Sequence, residues 1–316
     1  MRLCPLCRSS SSATVFEATP YRLVRCTRCD LVFVANPPTR SELAHIYSFA
    51  SGYDTSFADD PEEIAYRQRL ARDQVRWLES FASPGRLLDV GASAGFFVRA
   101  AADAGWEARG VELSADTSRL ARERYGVDVT CGRLEDVARE MPTGSVDAIT
   151  MWDVLEHVDD PVRDLEHVAA LLRSGGILVI STPNLDGWYP RLSGRVARRI
   201  GHWPAVEPPW HLTQFGVRTL TRMLQRAGLE VVCVRHVRIP LSYSFGALRE
   251  LRSPKRLAFA AVFAPVAAVA PWFKRGDEIE VVARVASPAP GGPCRAAFAT
   301  ATAPDRVRSR KRTRRA

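Results

Sequence analysis

The sequence predicts an α/β protein built on a parallel sheet, preceded by a small module held by cysteines. Three observations predict it. From Arg86 onward, short apolar runs alternate with segments of helical spacing, as in a sheet whose strands are joined by right-handed helical crossovers. Two Cys-x2-Cys pairs lie within the first 29 residues, ahead of that alternation. Pro84-Gly85 stops a helical segment just before the first apolar run, which sets the start of the sheet.

Residues 1–36 carry the spacing Cys4-x2-Cys7-x18-Cys26-x2-Cys29. Two such knuckles offer four thiolates, the number a tetrahedral Zn2+ takes. With all four positions filled, no place is left for a reacting water, so the metal expected here is structural. The second pair is embedded in the strand-like LVRCTRCDLVFV, and Pro37-Pro38 closes the module. The total of seven cysteines is odd and the start MRLCPLC has no long apolar run. Both argue against an exported disulfide framework and for a cytoplasmic location. Residues 37–84 read as a linker and a helix, with Ile64, Leu70, Val75, Leu78 and Phe81 at helical spacing over 61–82.

Strands are expected at 86–90, 107–112, 127–131, 145–152 and 176–181, with helices at 95–104, 114–125 and 160–173. A helix at 217–227 and strands at 229–237 and 279–285 follow. The main domain is expected over 85–286, with insertions at 183–215 and 239–278. A connection of about 40 residues between the last two strands should be functional, structured or both. Residues 287–316 are rich in Pro, Gly, Ala and Arg and read as a disordered tail.

The formal net charge is +9 over 316 residues. The last twelve, DRVRSRKRTRRA, hold seven Arg or Lys and one Asp, a net of +6, which leaves +3 for the rest. The basic character is therefore mostly a property of the tail, a block that is usually solvated.

The stretch LLDVGASAGFF, Leu87–Phe97, carries the chemistry. Gly91-x-Ser93-x-Gly95 spells a hydrolase nucleophile elbow, but no oxyanion-loop segment precedes it and this would be the first strand of the sheet. A dinucleotide fingerprint needs three glycines, and two of the three positions here are Ser93 and Phe96. A third reading is supported further along. Asp89 ends the first strand, and Glu112, followed by Leu113, ends the second, where a carboxylate can accept both hydroxyls of a ribose. Leu134-Glu135-Asp136 follows the third strand, and Trp152-Asp153 ends the fourth, opening Asp153-Val-Leu-Glu-His-Val-Asp-Asp-Pro161.

With these five ordered motifs, the run from Leu87 to about Val232 resembles a class I S-adenosylmethionine-dependent methyltransferase. Within that superfamily it is similar to the small-molecule group whose fourth strand ends in D-V-L-E-H-V-x-D-P. The resemblance implies a Rossmann-like, seven-stranded, mostly parallel sheet with the last strand antiparallel, joined here to a small N-terminal zinc ribbon. It implies that Asp89, Gly91, Ser93, Gly95, Glu112, Leu113, Leu134, Glu135, Trp152 and Asp153 line the cofactor. Ser93 then stands where the family usually has glycine. Ser93 and Ala92 are both small enough for the backbone to approach a ligand closely.

Methyl transfer requires alignment of the nucleophile and, for a hydroxyl, removal of its proton. His157, after the fourth strand, and His211, in PPWHLTQF, are the candidate bases. The segment around them is rich in rings: Trp188, Tyr189, His202, Trp203 and Trp210. The loop after the fourth strand lacks the Pro-Pro-aromatic and Pro-Cys signatures of base methylation, which disfavours nucleic acid. A small molecule, sugar or lipid-linked glycan is the favoured acceptor, with O-methylation favoured. An RNA methyltransferase using the ribbon and tail, or a noncatalytic scaffold, is the alternative. The apolar run Leu257–Phe273 has basic flanks, Lys255-Arg256 and Lys274-Arg275. At 17 residues with two prolines it is short for a span. A pocket lid, a homodimer contact and peripheral contact with an anionic membrane are its three readings.

Overall fold

Two sheets organise the chain in the computed structural model, which describes residues 2–47, 59–200, 203, 205–206, 208–239 and 254–285. His202, residues 240–253 and the basic tail at 287–316 lie outside the described residues, as do the side chains of Lys255 and Arg256. The larger sheet has seven strands in the order β10-β11-β8-β7-β4-β5-β6. They are β4 (Arg86–Val90), β5 (Glu107–Glu112), β6 (Val129–Cys131), β7 (Val146–Trp152), β8 (Leu172–Pro183), β10 (Leu229–Val237) and β11 (Glu278–Val285). β4, β5, β6, β7 and β8 pair in parallel, and β11 runs antiparallel to both β8 and β10. The expected sheet, with its antiparallel last strand, is the one found.

Strand alternation explains why the sheet needs cover on both faces. Leu87, Ala148, Ile177 and Val179 point into one cluster with Ala71, Val75 and Leu78 of helix α2 (Pro61–Glu79) and Phe97 of helix α3 (Phe96–Asp103). Their neighbours Leu88, Ile149, Leu178 and Ile180 point the other way. There they meet Leu165 and Val168 of helix α6 (Pro161–Leu171) and Leu220 and Met223 of helix α8 (Val217–Arg226). A strand buried on both faces is predominantly apolar, which is how these runs read.

The helices begin where local chemistry sets them. Asp60 caps α2 and Asp160 caps α6, each followed by proline at the first helical position. Ser114 caps helix α4 (Ala115–Tyr125). α2 ends at Glu79, three residues short of the expected end, where the Ser80 hydroxyl bonds the Trp77 carbonyl at 2.8 Å. β6 begins at Val129 because Gly126 ends α4 in the left-handed conformation. Each of the two long connections contains a helix among the described residues. The first holds helix α7 (Trp188–Ile200), the second α9 (Pro254–Val269) and a 3-10 turn, Ala270–Phe273.

The smaller sheet joins β1 (Ser12–Ala18), β2 (Tyr21–Cys26) and β3 (Val32–Val34) to β9 (Thr213–Gln214). β9 comes from the connection after β8 and pairs antiparallel with β3. The module also shares its core with the main domain: Cys26, Leu31 and Phe33 fall in one cluster with Leu165, Phe215 and Leu220. Arg218 pairs with Asp30, and Arg226 donates to the Leu6 carbonyl.

If the core is shared, Phe33→Ala, at a side chain only 1% exposed, should cost about 3–5 kcal/mol. Thermal unfolding should stay a single transition. Two separate transitions in the wild-type protein would show that the module melts alone.

Candidate active site

β4 lies inside the larger sheet between β7 and β5, and the chain leaves it toward β5 and β6 on one side and toward β7 and β8 on the other. Such a reversal opens a crevice at the carboxyl ends of the strands. The turn after β4 lines it. Gly91, Ser93 and Gly95 have positive φ of 74°, 49° and 81°. A Cβ on Gly91 would come within 2.4 Å of Val154, and one on Gly95 within 2.5 Å of Val127, so both positions require glycine for conformation and for space. The N–H groups of Gly91 and Ala92 both donate to the Val111 carbonyl, at 2.8 and 3.0 Å. The turn is thus fixed to β5.

Two carboxylates flank it. Asp89, 2% exposed, accepts from the Thr150 hydroxyl at 2.7 Å. Burial pushes its carboxyl up to about 7 against this bond, with help from the charge of Glu112. Glu112 accepts from the Ser93 N–H at 2.9 Å on one oxygen and from the Ser114 N–H at 2.8 Å on the other. Burial raises it too, against those donors. Each oxygen keeps a lone pair beyond the backbone bond, so the group is both oriented and able to accept from two ligand hydroxyls. Leu113, next to it, is half-buried.

Across the crevice, Trp152 packs on Phe97 with ring centroids 5.4 Å apart, and its buried indole N–H has no partner among the described residues. Asp153 has φ 53° and exchanges hydrogen bonds with Ser181. Part of Asp153 reaches solvent, yet protein atoms crowd its carboxyl and push it up, as expected of a group lining a cleft. Burial, followed by the charges of Asp153, Glu280, Asp277 and Glu156, raises Glu278 well above the usual range. Leu134 is buried at the start of helix α5 (Leu134–Glu140). Glu135 is engaged by Arg40 at 2.8 Å and Arg163 at 3.4 Å, a network that ties α5 to helix α1 (Arg40–Ile46) and α6.

The two histidines come together although 53 residues separate them in sequence. Their ring centroids are 4.8 Å apart and cross at 76°. His157 Nδ1 lies 2.9 Å from the Trp210 carbonyl and 2.8 Å from the Tyr47 hydroxyl. Burial lowers His157 to about 4 and His211 to about 3, so both are neutral near pH 7. Glu156, absent from the sequence expectation, completes the group. Its place beside His157 in the D-V-L-E-H-V phrase was the available signal. Thr150 and Ser181, which orient Asp89 and Asp153, carried none.

The four sulfurs of Cys4, Cys7, Cys26 and Cys29 lie within 4.8 Å of one another, with Cys4–Cys29 and Cys7–Cys26 each at 3.5 Å. These are too far apart for disulfides. They are close to the spacing of about 3.8 Å that a tetrahedron of 2.3 Å Zn–S bonds gives.

Sheet order, the switch-point turn and the carboxylate ending β5 define the class I S-adenosylmethionine-dependent methyltransferase fold. A model of the methyltransferase domain family matches residues 64–234, just over half of the chain, and the chain belongs to that family. It is 38% identical over 109 residues to a ubiquinone biosynthesis O-methyltransferase of Xanthomonas campestris, covering 33% of this chain and 45% of that protein. Its counterpart in Xanthomonas euvesicatoria is 36% identical over 132 residues, 40% of this chain and 55% of the relative. The chain thus spans about half the length of the curated relatives it matches. A crystal structure of an S-adenosylmethionine-dependent methyltransferase from Archaeoglobus fulgidus covers 73% of this chain and 100% of its own, with TM-score 0.51 at 16% identity.

Asp89 ties stability to pH. Its folded value near 7 lies above the ordinary 3.8. Its contribution is therefore fully present below about pH 4 and lost as pH rises through 7. The loss is on the order of 4 kcal/mol. Without cofactor, Asp89→Asn should match the wild-type melting temperature at pH 4 and exceed it at pH 8. Parallel melting profiles for the two proteins would contradict this.

Proposed function

We propose that this chain is an S-adenosylmethionine-dependent methyltransferase acting on an oxygen of a small-molecule, sugar or lipid-linked acceptor. The observation that carries the reading is Glu112, whose carboxylate is held by two backbone N–H groups with acceptor capacity left, beside a glycine turn that leaves room for a ligand. The shared name of the relatives, ubiquinone biosynthesis O-methyltransferase, supports oxygen as the methylated atom.

The cofactor, when bound, supplies an electrophilic methyl group on a positively charged sulfur. Glu112 accepts from the ribose hydroxyls, and the turn from Gly91 to Gly95 admits the amino-acid part. Leu113 and Leu134 give the adenine an apolar edge. Trp152 and Asp153 form the wall between cofactor and acceptor. The carboxyls of Asp153 and Glu278, both pushed up by burial, give the cleft a polar wall. Next to it, at the neutral His157–His211 pair, the acceptor hydroxyl loses its proton.

Cys4, Cys7, Cys26 and Cys29 are inferred to hold one structural Zn2+, since four thiolates at near-tetrahedral spacing close its coordination. The surface around α9 is inferred to meet an anionic membrane. Trp272 and Phe273 are 73% and 61% exposed, Phe273 stacks on Trp188, and Lys274 and Arg275 follow at once. Aromatic tips beside basic residues suit a lipid interface. No helix among the described residues is long and apolar enough to cross a membrane.

Calorimetry tests the first proposal. The wild-type protein should bind S-adenosylmethionine, and Glu112→Gln should weaken binding by about 10- to 100-fold, the size of a lost charge-assisted hydrogen bond. A wild-type protein without measurable binding would leave only a scaffold. For the surface, wild-type protein should float with phosphatidylglycerol vesicles and a Trp272→Ala, Phe273→Ala double variant should not. Wild-type protein that stays behind would favour a lid or a dimer contact instead.

A further inference from the structure

One contact at the histidines has no part in the cofactor cradle. Tyr47 caps the end of helix α1, in a stretch that reads in sequence only as a linker. α1 starts on a capping box, with the Thr39 N–H donating to Glu42 at 2.7 Å. Its two ends are fastened at different places. At the first residue, Arg40 Nε donates to Asp159 at 2.7 Å and its Nη1 to Glu135 at 2.8 Å. Between the ends, Leu43 is 3% exposed. At the far end, the Tyr47 hydroxyl lies 2.8 Å from His157 Nδ1. Asp159 and His157 are two residues apart in the loop after β7, so α1 holds that loop from both of its own ends.

The grip on His157 comes from two sides. The Trp210 carbonyl lies 2.9 Å from the same Nδ1, and it belongs to the connection after β8, far from Tyr47 in sequence. The Tyr47 ring meets the His157 ring edge to face, with centroids 6.0 Å apart and planes at 80°. It meets the Trp210 ring in the same manner, at 5.5 Å and 67°. Tyr47, Trp210 and His157 thus form a closed group in which each member touches the other two. An imidazole held at one nitrogen by two fixed partners cannot flip without breaking both bonds. Either direction of the tyrosine bond gives this restraint, since a hydroxyl both donates and accepts. The His157 side chain keeps 24% exposure, so the ring is held without being sealed off.

We propose that Tyr47 is a positioning residue for methyl transfer: its hydroxyl fixes the His157 imidazole at the acceptor side of the cleft, and α1 is the strap that carries it there. The strap joins the two sides of the cleft. Glu135 follows Leu134 at the inferred adenine edge, and His157 stands on the acceptor side. One seven-residue helix and its cap reach both, through Arg40 at one end and Tyr47 at the other. Alignment is most of what methyl transfer asks of a protein, and a misplacement of about 1 Å can cost on the order of 10²-fold in rate. A side chain on a helix tied at both ends supports a reacting group more firmly than one on a loop.

The role rests on the methyl-transfer reading for its use, and on geometry alone for its existence. In the reaction, the His157 imidazole takes the proton of the acceptor hydroxyl. The oxygen lone pair forms the bond to the methyl carbon. The carbon–sulfur bond breaks with its electron pair left on sulfur. The proton then passes from the imidazolium to water. Tyr47 makes and breaks no covalent bond in these steps and acts through the ring it holds.

Nitrogen NMR of the imidazole reads the hold directly. Full-length protein is made with isotope-labelled histidine, and the His157 signals are assigned as those missing from His157→Gln. In the wild type near pH 7 the two ring nitrogens should give well-separated resonances, the mark of one fixed tautomer. Tyr47→Phe keeps the ring and removes the hydroxyl. It should draw the two resonances together and speed exchange of the ring N–H with water about 10-fold, the size of one lost hydrogen bond. A tyrosine that only packs would leave these signals unmoved on that change. Tyr47→Leu serves in the same way if the phenylalanine variant fails to fold. Identical His157 signals in the wild type and a folded Tyr47 variant overturn the proposal. S-adenosylmethionine calorimetry on the same samples separates the two readings. Cofactor binding with unmoved His157 signals overturns the positioning role alone, and shifted signals in a protein that binds no cofactor overturn the methyltransferase reading alone.

Discussion

Two N–H groups, those of Gly91 and Ala92, end on the single carbonyl of Val111, and the site is assembled around that junction. It holds the turn after β4 against the end of β5, and so sets the distance between the turn and Glu112. Ser93 then donates to Glu112, which closes a ring of backbone and carboxylate. The positive φ angles at Gly91, Ser93 and Gly95 are the conformational cost. A sheet buried on both faces supplies the rigidity that holds them.

Most of this was legible because it is local. The alternation of apolar runs fixed seven strands, and Gly91, Gly95 and Glu112 sit at spacings that only a strand–turn–helix–strand unit explains. The same locality revealed Cys4, Cys7, Cys26 and Cys29, whose pairs are each within one turn. What escaped was what depends on chain segments far apart. Nothing near Glu156 in sequence announces His211, and nothing near Glu135 announces Arg40. Thr150 and Ser181 lie inside apolar strands, where a hydroxyl reads as a tolerated strand former. Their bonds to Asp89 and Asp153 exist only once the sheet is folded.

The histidine pair is read differently by residue type and by partner. Read by residue type, His157 and His211 are titratable side chains near a cleft. Read by partner, His157 Nδ1 lies between the Trp210 carbonyl and the Tyr47 hydroxyl, and the buried Nδ1 of His211 has no hydrogen-bond partner among the described residues. Burial lowers both far below neutrality. A neutral imidazole is the form that can take up a proton from an acceptor hydroxyl.

The pairing of β3 with β9 links the two ends of the chain's history as well as its space. A ribosome delivers residues 12–34 early, but the strand that completes their sheet begins at residue 213. Until then the edge of β3 is unpaired, and unpaired edges recruit other strands. The proposed zinc on the four cysteines would have a task in time: it would keep the first three strands together while the intervening chain is made. In the finished protein, β9 returns the service by presenting His211, two residues ahead of it, to Glu156.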